Sequence, residues 1–446
     1  MNNVLVHNAT VVTLGKTNRV LHNHSIEICD GHIKTIAPNK TFLTQNMSSH
    51  RILDATGSVA MPGFMNAHMH FYSTLVRGLG KAEPSKNFNE VLHNLWWRLD
   101  KKLTLEDSYY SALVALIAAI RSGTTTLIDH HASPFAALGS LNEIARAVRE
   151  SGLRASLCYE TSDRDGPEIC ENGLQENINF ARQCAQDNDN SLKAMIGLHA
   201  SFTVSNKTLE KSVQAAHDLN VGLHVHTAEA NSDQGACEHE HSMRVVERFK
   251  KFGVLGNKTI CAHGVFLSDH EMDLLAATKT AVVHNPQSNM NNAVGVANVL
   301  KMLEKGILVG LGTDAMTLNM REEVRTALWL QKLNAKDPSV GFCEMLSTLL
   351  HNNAVIAKQQ WENLTLGEIC EGGVADVVLL DYYAPTPFSD DTFLGHFAFG
   401  LTQSNVRTTI ANGKVLMHNS QLELPIDEPR VFARSQELAE NLWKRF

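Results

Sequence analysis

The feature that most constrains this chain is a recurring unit: a short apolar run closing on a polar residue, then a stretch with helical periodicity. Beginning at about residue 61, the runs are VAMPGFMNAHMH, TTTLIDHH, RASLCYE, KAMIGLHA, VGLHVHTAE, KTICAHG, TAVVHNP and ILVGLGTD. Strands that alternate with helices predict an α/β architecture with a parallel sheet, and eight such units predict a (β/α)8 barrel of the TIM type. Two of the helical stretches, SYYSALVALIAAIRSG and GSLNEIARAVRESG, end at Gly123 and Gly152, as a helix C-terminus commonly does. The flanking sequence is different. Residues 1–60 alternate apolar and polar positions, with Asp30-Gly31 as a hairpin signal, and GGVADVVLLDYY and NVRTTIANGKVLMHN bring strand patterns back after about residue 365. Asn412-Gly413 is a second hairpin signal. The expected organisation is a small β-sandwich domain built from residues 1–60 and 366–420, a barrel over 61–365, and a C-terminal amphipathic helix within 421–446.

Composition narrows the functional classes. A chain of 446 residues with 43% hydrophobic residues can bury a large core, and a net charge of −8 without a Lys/Arg block argues against nucleic acid as a partner. The longest wholly apolar run, Ala112 to Ile120, is too short to span a bilayer and reads as a buried helix, so no membrane association is expected. The N-terminus lacks the ordered parts of a secretory signal. The eight cysteines form no CxxC pair, which fits reduced core residues in a cytoplasmic protein. No internal repeat or low-complexity segment stands out.

The polar residues fall where a barrel would use them. Barrel active sites lie at the C-terminal ends of the strands. The runs end in turn at His68 and His70; Asp129, His130 and His131; Glu160; His199; His226 with Glu229; His263; His284 and Asn285; and Asp314. Any one of these histidines is more often a satisfied polar residue than a ligand; their joint placement is the signal. Residues two apart on a strand face the same side, so His68 and His70 can reach one ion. His226 and Asp314 can complete three imidazoles and a carboxylate, a set that suits zinc and leaves a position for water. His224 and His226 form a second HxH pair whose inward member the sequence leaves open. Trp96 and Trp97 in NLWWRLD are either core or an aromatic wall for a planar ring. Arg77 either meets an anionic or carbonyl group or sits in a surface ion pair. One of His130 and His131 must point away from the pocket. His7, His22, His24, His93, His239 and His241 read as background.

The segments PGFMNAHMH, HTAE, AHG, HNPQSNMNNAVG and GLGTDA resemble, in order and spacing, the marks of the amidohydrolase superfamily. The branch is the one with guanine, cytosine, adenosine-type and S-adenosylhomocysteine deaminases and the triazine chlorohydrolases. Within it, NLWWRLD, LIDHHASP, GLHASFTV and PTPF…GHFAFG are similar to the SsnA-type aminohydrolases, a subgroup associated with selenium and purine metabolism. The resemblance implies His68, His70, His226 and Asp314 as metal ligands, Glu229 as the proton shuttle, and His263 as the residue orienting water or substrate. It also implies substrate contact by His199, and, by analogy, by the Ser288–Asn292 segment including Asn289; His131, Arg77 and Trp96 are further candidate substrate contacts. Where binuclear relatives carry a carboxylated lysine or a glutamate at the end of strand four, this chain has His199, which implies one divalent ion, zinc first and iron second.

The chemistry expected of such a set is hydrolysis by a metal-activated water, with Asp314 taking a proton and Glu229 delivering one. Deamination of a purine- or pyrimidine-like heterocycle leads; opening of a cyclic amide and a non-catalytic metal-binding role are the alternatives. The partner expected is a small heterocyclic molecule, and a homodimer stays open.

Overall fold

The structure, a computed structural model, describes residues 3–44, 47–187 and 189–446. Strands β1 (Asn3–Val12), β2 (Val20–Cys29), β3 (His32–Pro38), β4 (His50–Asp54) and β5 (Ser58–Pro62) come from the N-terminal end. Strands β6 (Phe64–Met69), β7 (Thr124–His131), β8 (Arg154–Tyr159) and β9 (Leu192–Ala194) form a four-stranded parallel sheet in that order. Strands β10 (Ile196–Ala200), β11 (Leu223–Thr227), β12 (Ile260–His263), β13 (Ala281–His284) and β14 (Val309–Leu311) form a five-stranded parallel sheet, again in chain order. Strands β15 (Val377–Asp381), β16 (Val406–Ala411), β17 (Lys414–His418) and β18 (Gln421–Leu422) return to the first group. Together β1–β5 and β15–β18 make one nine-stranded sheet, joined where β15 runs antiparallel to β5.

Two of the apolar runs each divide into two strands. VAMPGFMNAHMH is cut at Gly63, so β5 pairs with β1 and β15 in the nine-stranded sheet while β6 begins the parallel one. KAMIGLHA is cut at Met195, where the four-stranded and five-stranded sheets part. Short parallel bridges link the two parallel sheets, Thr161 to Leu198 on one side and Met69 to Asp314 on the other. The second of these is reinforced by the amides of Thr313 and Asp314, which donate to the His68 carbonyl at 2.9 and 3.0 Å.

Both hairpin signals form the turns their residues favour. Asp30 and Gly31 have φ of 48° and 84°, and Asn412 and Gly413 have φ of 50° and 72°, the left-handed pair that a two-residue hairpin needs. The two turns abut: a Cβ on Gly413 would lie 2.6 Å from the Gly31 Cα, so glycine is required there by space as well as by φ.

The helix Leu105–Ser122 begins with a capping box between Thr104 and Asp107 and ends at Gly123; it contains the apolar run Ala112–Ile120, buried against the next helix, Ser140–Ser151. No single helix among the described residues is long and apolar enough to cross a membrane. The C-terminal helix, Glu428–Arg445, packs on Leu105–Ser122, where Arg445 pairs with the buried Asp107 at 2.7 Å. Inside the parallel sheets, Ala67, Ile128, Cys158, Met195, Ile260, Ala281, Val283 and Ile356 form an apolar floor. The strand ends that rise from this floor carry the polar residues.

Candidate active site

Alternation along β6, β7 and β11 turns His68, His70, His130, His224 and His226 into one interior. They lie in two layers. His68, His130 and His224 are fully buried below; His70 and His226, at 5% and 8% exposure, lie above them at the mouth. The open question of the second HxH pair is thus one of depth, since both members point inward. His224 Nε2 lies 2.9 Å from His68 Nδ1 and fixes that ring from behind, and the Cys158 thiol lies 3.7 Å from the far nitrogen of His224. His226 reaches the mouth, its Nδ1 held by the His199 carbonyl at 2.8 Å. The His70 Nδ1 is held by the His130 carbonyl. A backbone carbonyl on Nδ1 leaves Nε2 of both rings free to ligate.

The free nitrogens converge. His226 Nε2 and His70 Nε2 are 3.2 Å apart, and Asp314 Oδ1 lies 2.9 Å from His70 Nε2 and 3.5 Å from His68 Nε2. His68 Nε2 is buried without a hydrogen-bond partner, as is His263 Nε2. Buried imidazole nitrogens aimed at one another are costly unless a cation lies between them, so this donor set fits a divalent metal ion. His68, His226, His263 and Asp314 have ligand atoms within 4.8 Å of one another, and so do His68, His70, His130 and His226. Asp314 and His263 hold left-handed backbone, φ 51° and 75°, as does Ala228 at 50° before Glu229. Such strain in non-glycine residues at three strand ends marks positions where side-chain placement outweighs backbone ease.

The electrostatics separate the two carboxyls. Burial works to raise Asp314, but the His68 and His70 rings beside it override burial and hold the carboxyl well below the usual range. Burial and the nearby charge of Asp314 push Glu229 well above it. The two carboxyls are thus shifted in opposite directions, Asp314 down and Glu229 up. The histidines divide too. Burial drops His68 to about 4, whereas at His70 the closer Asp314 outweighs burial and raises the ring to about 9. Glu229 Oε2 lies 3.5 Å from His263 Nε2, and Asn289 Oδ1 holds the opposite face of that ring, Nδ1, at 2.9 Å. Ser288 donates to Asp314, and Asn292 to Glu229 at 3.4 Å.

A cleft opens over this cluster. Its walls include the apolar side chains of Phe88, Leu92, Trp96, Trp97, Phe202 and Met316, and its floor includes His70, His226, Glu229 and Asp314. Both tryptophans line the cleft, Trp96 at the end of the π-helical turn Leu92–Trp96 and Trp97 just after it. Trp96 stands edge-on to Tyr72 at 6.0 Å, and Trp97 to His199 at the same distance. His199 lines the cleft with its Nε2 3.3 Å from Glu160, and Glu160 also lies 3.7 Å from His226 Nδ1.

Three expected substrate contacts lie elsewhere. His131 is the outward member of its pair: it sits between Ser133 at 3.0 Å and Ser108 at 3.4 Å, on the helix side of β7. Arg77 is exposed at the end of a short turn away from the lining. Asn289 is fully buried and acts on His263 rather than on the cleft. The sequence reading missed Asp100 and Arg164, which pair at the edge of the cleft, with the guanidinium 5.2 Å over Trp97. Neither ends an apolar run, so no local pattern marked them.

The model of the amidohydrolase family matches residues 59–416. Along its full length the chain is 33% identical to a 5'-deoxyadenosine deaminase of Methanosarcina acetivorans, covering 99% of that protein. It is 30% identical to a 5-methylthioadenosine/S-adenosylhomocysteine deaminase of Pelotomaculum thermopropionicum, with all of both chains covered. Among solved structures it is similar to an adenosine deaminase from Xanthomonas campestris with bound zinc, at a TM-score of 0.87, 21% identity and 98% coverage of both chains.

Proposed function

The chain belongs to the amidohydrolase family, a hydrolase acting on carbon–nitrogen bonds, and from that premise we propose that it deaminates an adenosine-type purine derivative. The observation that carries the reading is the convergence of His68, His70, His226 and Asp314, with Glu229 3.5 Å from His263, on the floor of an aromatic-walled cleft. The relatives named as deaminases of 5'-deoxyadenosine and of 5-methylthioadenosine and S-adenosylhomocysteine direct the choice of heterocycle.

In this reading His68, His70, His226 and Asp314 would hold one divalent ion, with zinc first and iron second. Such an ion supplies Lewis acidity that lets water lose a proton near neutral pH. Asp314 would take a proton from the attacking water as its oxygen adds to the ring carbon bearing the amino group. Glu229 gives a proton to the adjacent ring nitrogen; the proton taken up by Asp314 then passes to the amino group, which leaves as ammonia, while Glu229 recovers a proton from the added oxygen as the carbonyl forms. His263, held by Asn289, steadies the oxygen that gains charge. The aromatic walls admit a flat ring and exclude water around it.

The finer architecture belongs to the same proposal. The two parallel sheets, with β9 and β10 counted as the halves of one strand and with bridges at Thr161–Leu198 and Met69–Asp314, act as one eight-stranded (β/α)8 barrel over residues 61–365. The strands of 1–60 and 366–420 act as a sandwich-like companion domain, and the helix within 421–446 closes the chain.

The test is a panel of adenosine derivatives with varied 5' groups, alongside cyclic amides, assayed for ammonia and for ring absorbance with zinc-loaded protein. Ammonia release with the purine ring retained supports deamination. Loss of ring absorbance with a new carboxylate, or no turnover of any member, overturns it.

A further inference from the structure

A second group of side chains able to bind a metal lies in the nine-stranded sheet and shares no residue with the strand-end cluster. Glu27 and Cys29 are two apart on β2 and so share a face. His50 opens β4, and β1 runs between β2 and β4, pairing with both. His50 pairs with Asn3 and Leu5 with Glu27, so the three side chains reach toward one another over β1. His50 Nε2 lies 3.2 Å from Glu27 Oε1, the Cys29 Sγ lies 3.8 Å from the same oxygen, and Sγ and Nε2 are 3.8 Å apart. The side chains of Glu27 and His50 are 6% and 7% exposed; Cys29 is half-buried.

The triangle has the size of a metal face. Bonds of about 2.3 Å to sulfur and about 2.0–2.1 Å to nitrogen and oxygen, at tetrahedral angles, separate neighbouring ligand atoms by about 3.3–3.6 Å. The three observed edges lie within a few tenths of an ångström of that. Hydrogen bonding alone explains the grouping less well, since Lys34 already donates to Glu27 Oε1 at 2.9 Å. Ammonium, imidazole and thiol thus crowd one carboxylate oxygen. Lys34 is itself 60% exposed and can swing into solvent, and a thiolate with an imidazole and a carboxylate favours zinc or a similar borderline ion over magnesium or calcium.

We propose that Glu27, Cys29 and His50 form a peripheral zinc site, with a fourth position open to water, that ties β2 to β4 across β1. On binding, the Cys29 S–H proton leaves to the buffer, the sulfur–metal bond forms, and the Lys34 ammonium is released from Glu27. The site stands apart from the proposed deaminase chemistry, because no cysteine belongs to the strand-end ligand set.

Cobalt(II) distinguishes the two sites, since only a thiolate ligand produces a sulfur-to-cobalt charge-transfer band. Metal-free full-length protein titrated with cobalt should take up two equivalents, one of them with that band. Cys29→Ser should drop uptake to one equivalent and remove the band while deaminase activity stays unchanged. If the variant does not fold, zinc should still protect Cys29 in the unmodified protein from alkylation, read by peptide mass spectrometry. Uptake of a single equivalent without the band overturns the proposal. So does a band that survives Cys29→Ser, which would place the thiolate at another cysteine, and so does alkylation of Cys29 that zinc leaves unchanged.

Discussion

The nine-stranded sheet and the mouth of the parallel sheets are both built of buried strands, yet they bury opposite kinds of surface. In the sheet, Val4, Val6, Ile26, Ile28, Val377, Leu379 and Ile410 pack into an apolar cluster. At the mouth, His68, His70, His226, Glu229, His263 and Asp314 are equally enclosed, and His68 Nε2 and His263 Nε2 have no hydrogen-bond partner. Apolar burial stabilises a fold by about 25 cal/mol for each Å² removed from water. Burial of polar groups without partners opposes it. One region therefore supplies stability, and the other spends it on a site held ready for a cation and a substrate.

The sharpest way to break this contrast is at Asp314. Asp314→Asn should reduce turnover to background while the melting temperature and circular dichroism stay near those of the parent; turnover close to the parent with full metal content would remove Asp314 from its role. Glu229→Gln is expected to cost about 10²–10⁴-fold in kcat, the usual share of a positioned acid. A carboxyl that must be protonated to act loses activity as pH rises through its titration. The raised Glu229 should therefore set the alkaline limb of the parent's pH–rate profile, and that limb should be missing from the residual activity of Glu229→Gln.

The sheet side of the contrast is tested by Ile26→Ala, a large-to-small change in a fully buried position. It should cost about 2–5 kcal/mol of stability, read by denaturant unfolding, with kcat unchanged in the folded fraction. A fall in kcat there would show that the two regions are coupled. The smallest expected effect is that of His224→Ala, which removes the support behind His68. Metal affinity should fall about 10–100-fold in competition with a chelator, and unchanged affinity would reduce His224 to packing.

Much of the strand-end pattern was legible because it is local. HMH, HVH, AHG and GTD each put a polar residue at the end of an apolar run, and a parallel α/β sheet brings such ends together. Alternation also separated His130 from His131 in principle, but not which one faces inward. That depends on the register of β7 against β6 and β8, and the structure turns His131 toward Ser108 and Ser133. The π-helical turn that leads into Trp96 and Trp97 leaves no clear mark in NLWWRLD. Asp100 and Arg164 meet across 64 residues, a separation over which no periodicity speaks.

By itself the sequence determined the order of strands and helices, the hairpin turns at Asp30-Gly31 and Asn412-Gly413, and which residue types stand at the strand ends. Those properties follow from backbone preference and side-chain period, and both act within a few residues. The tertiary structure alone decided depth and partnership: His224 below and His226 above, Asn289 against His263 rather than substrate, and Glu27 and Cys29 meeting His50 over β1. These depend on which chain segments become neighbours across a sheet, and burial then sets the charge of each group that meets there.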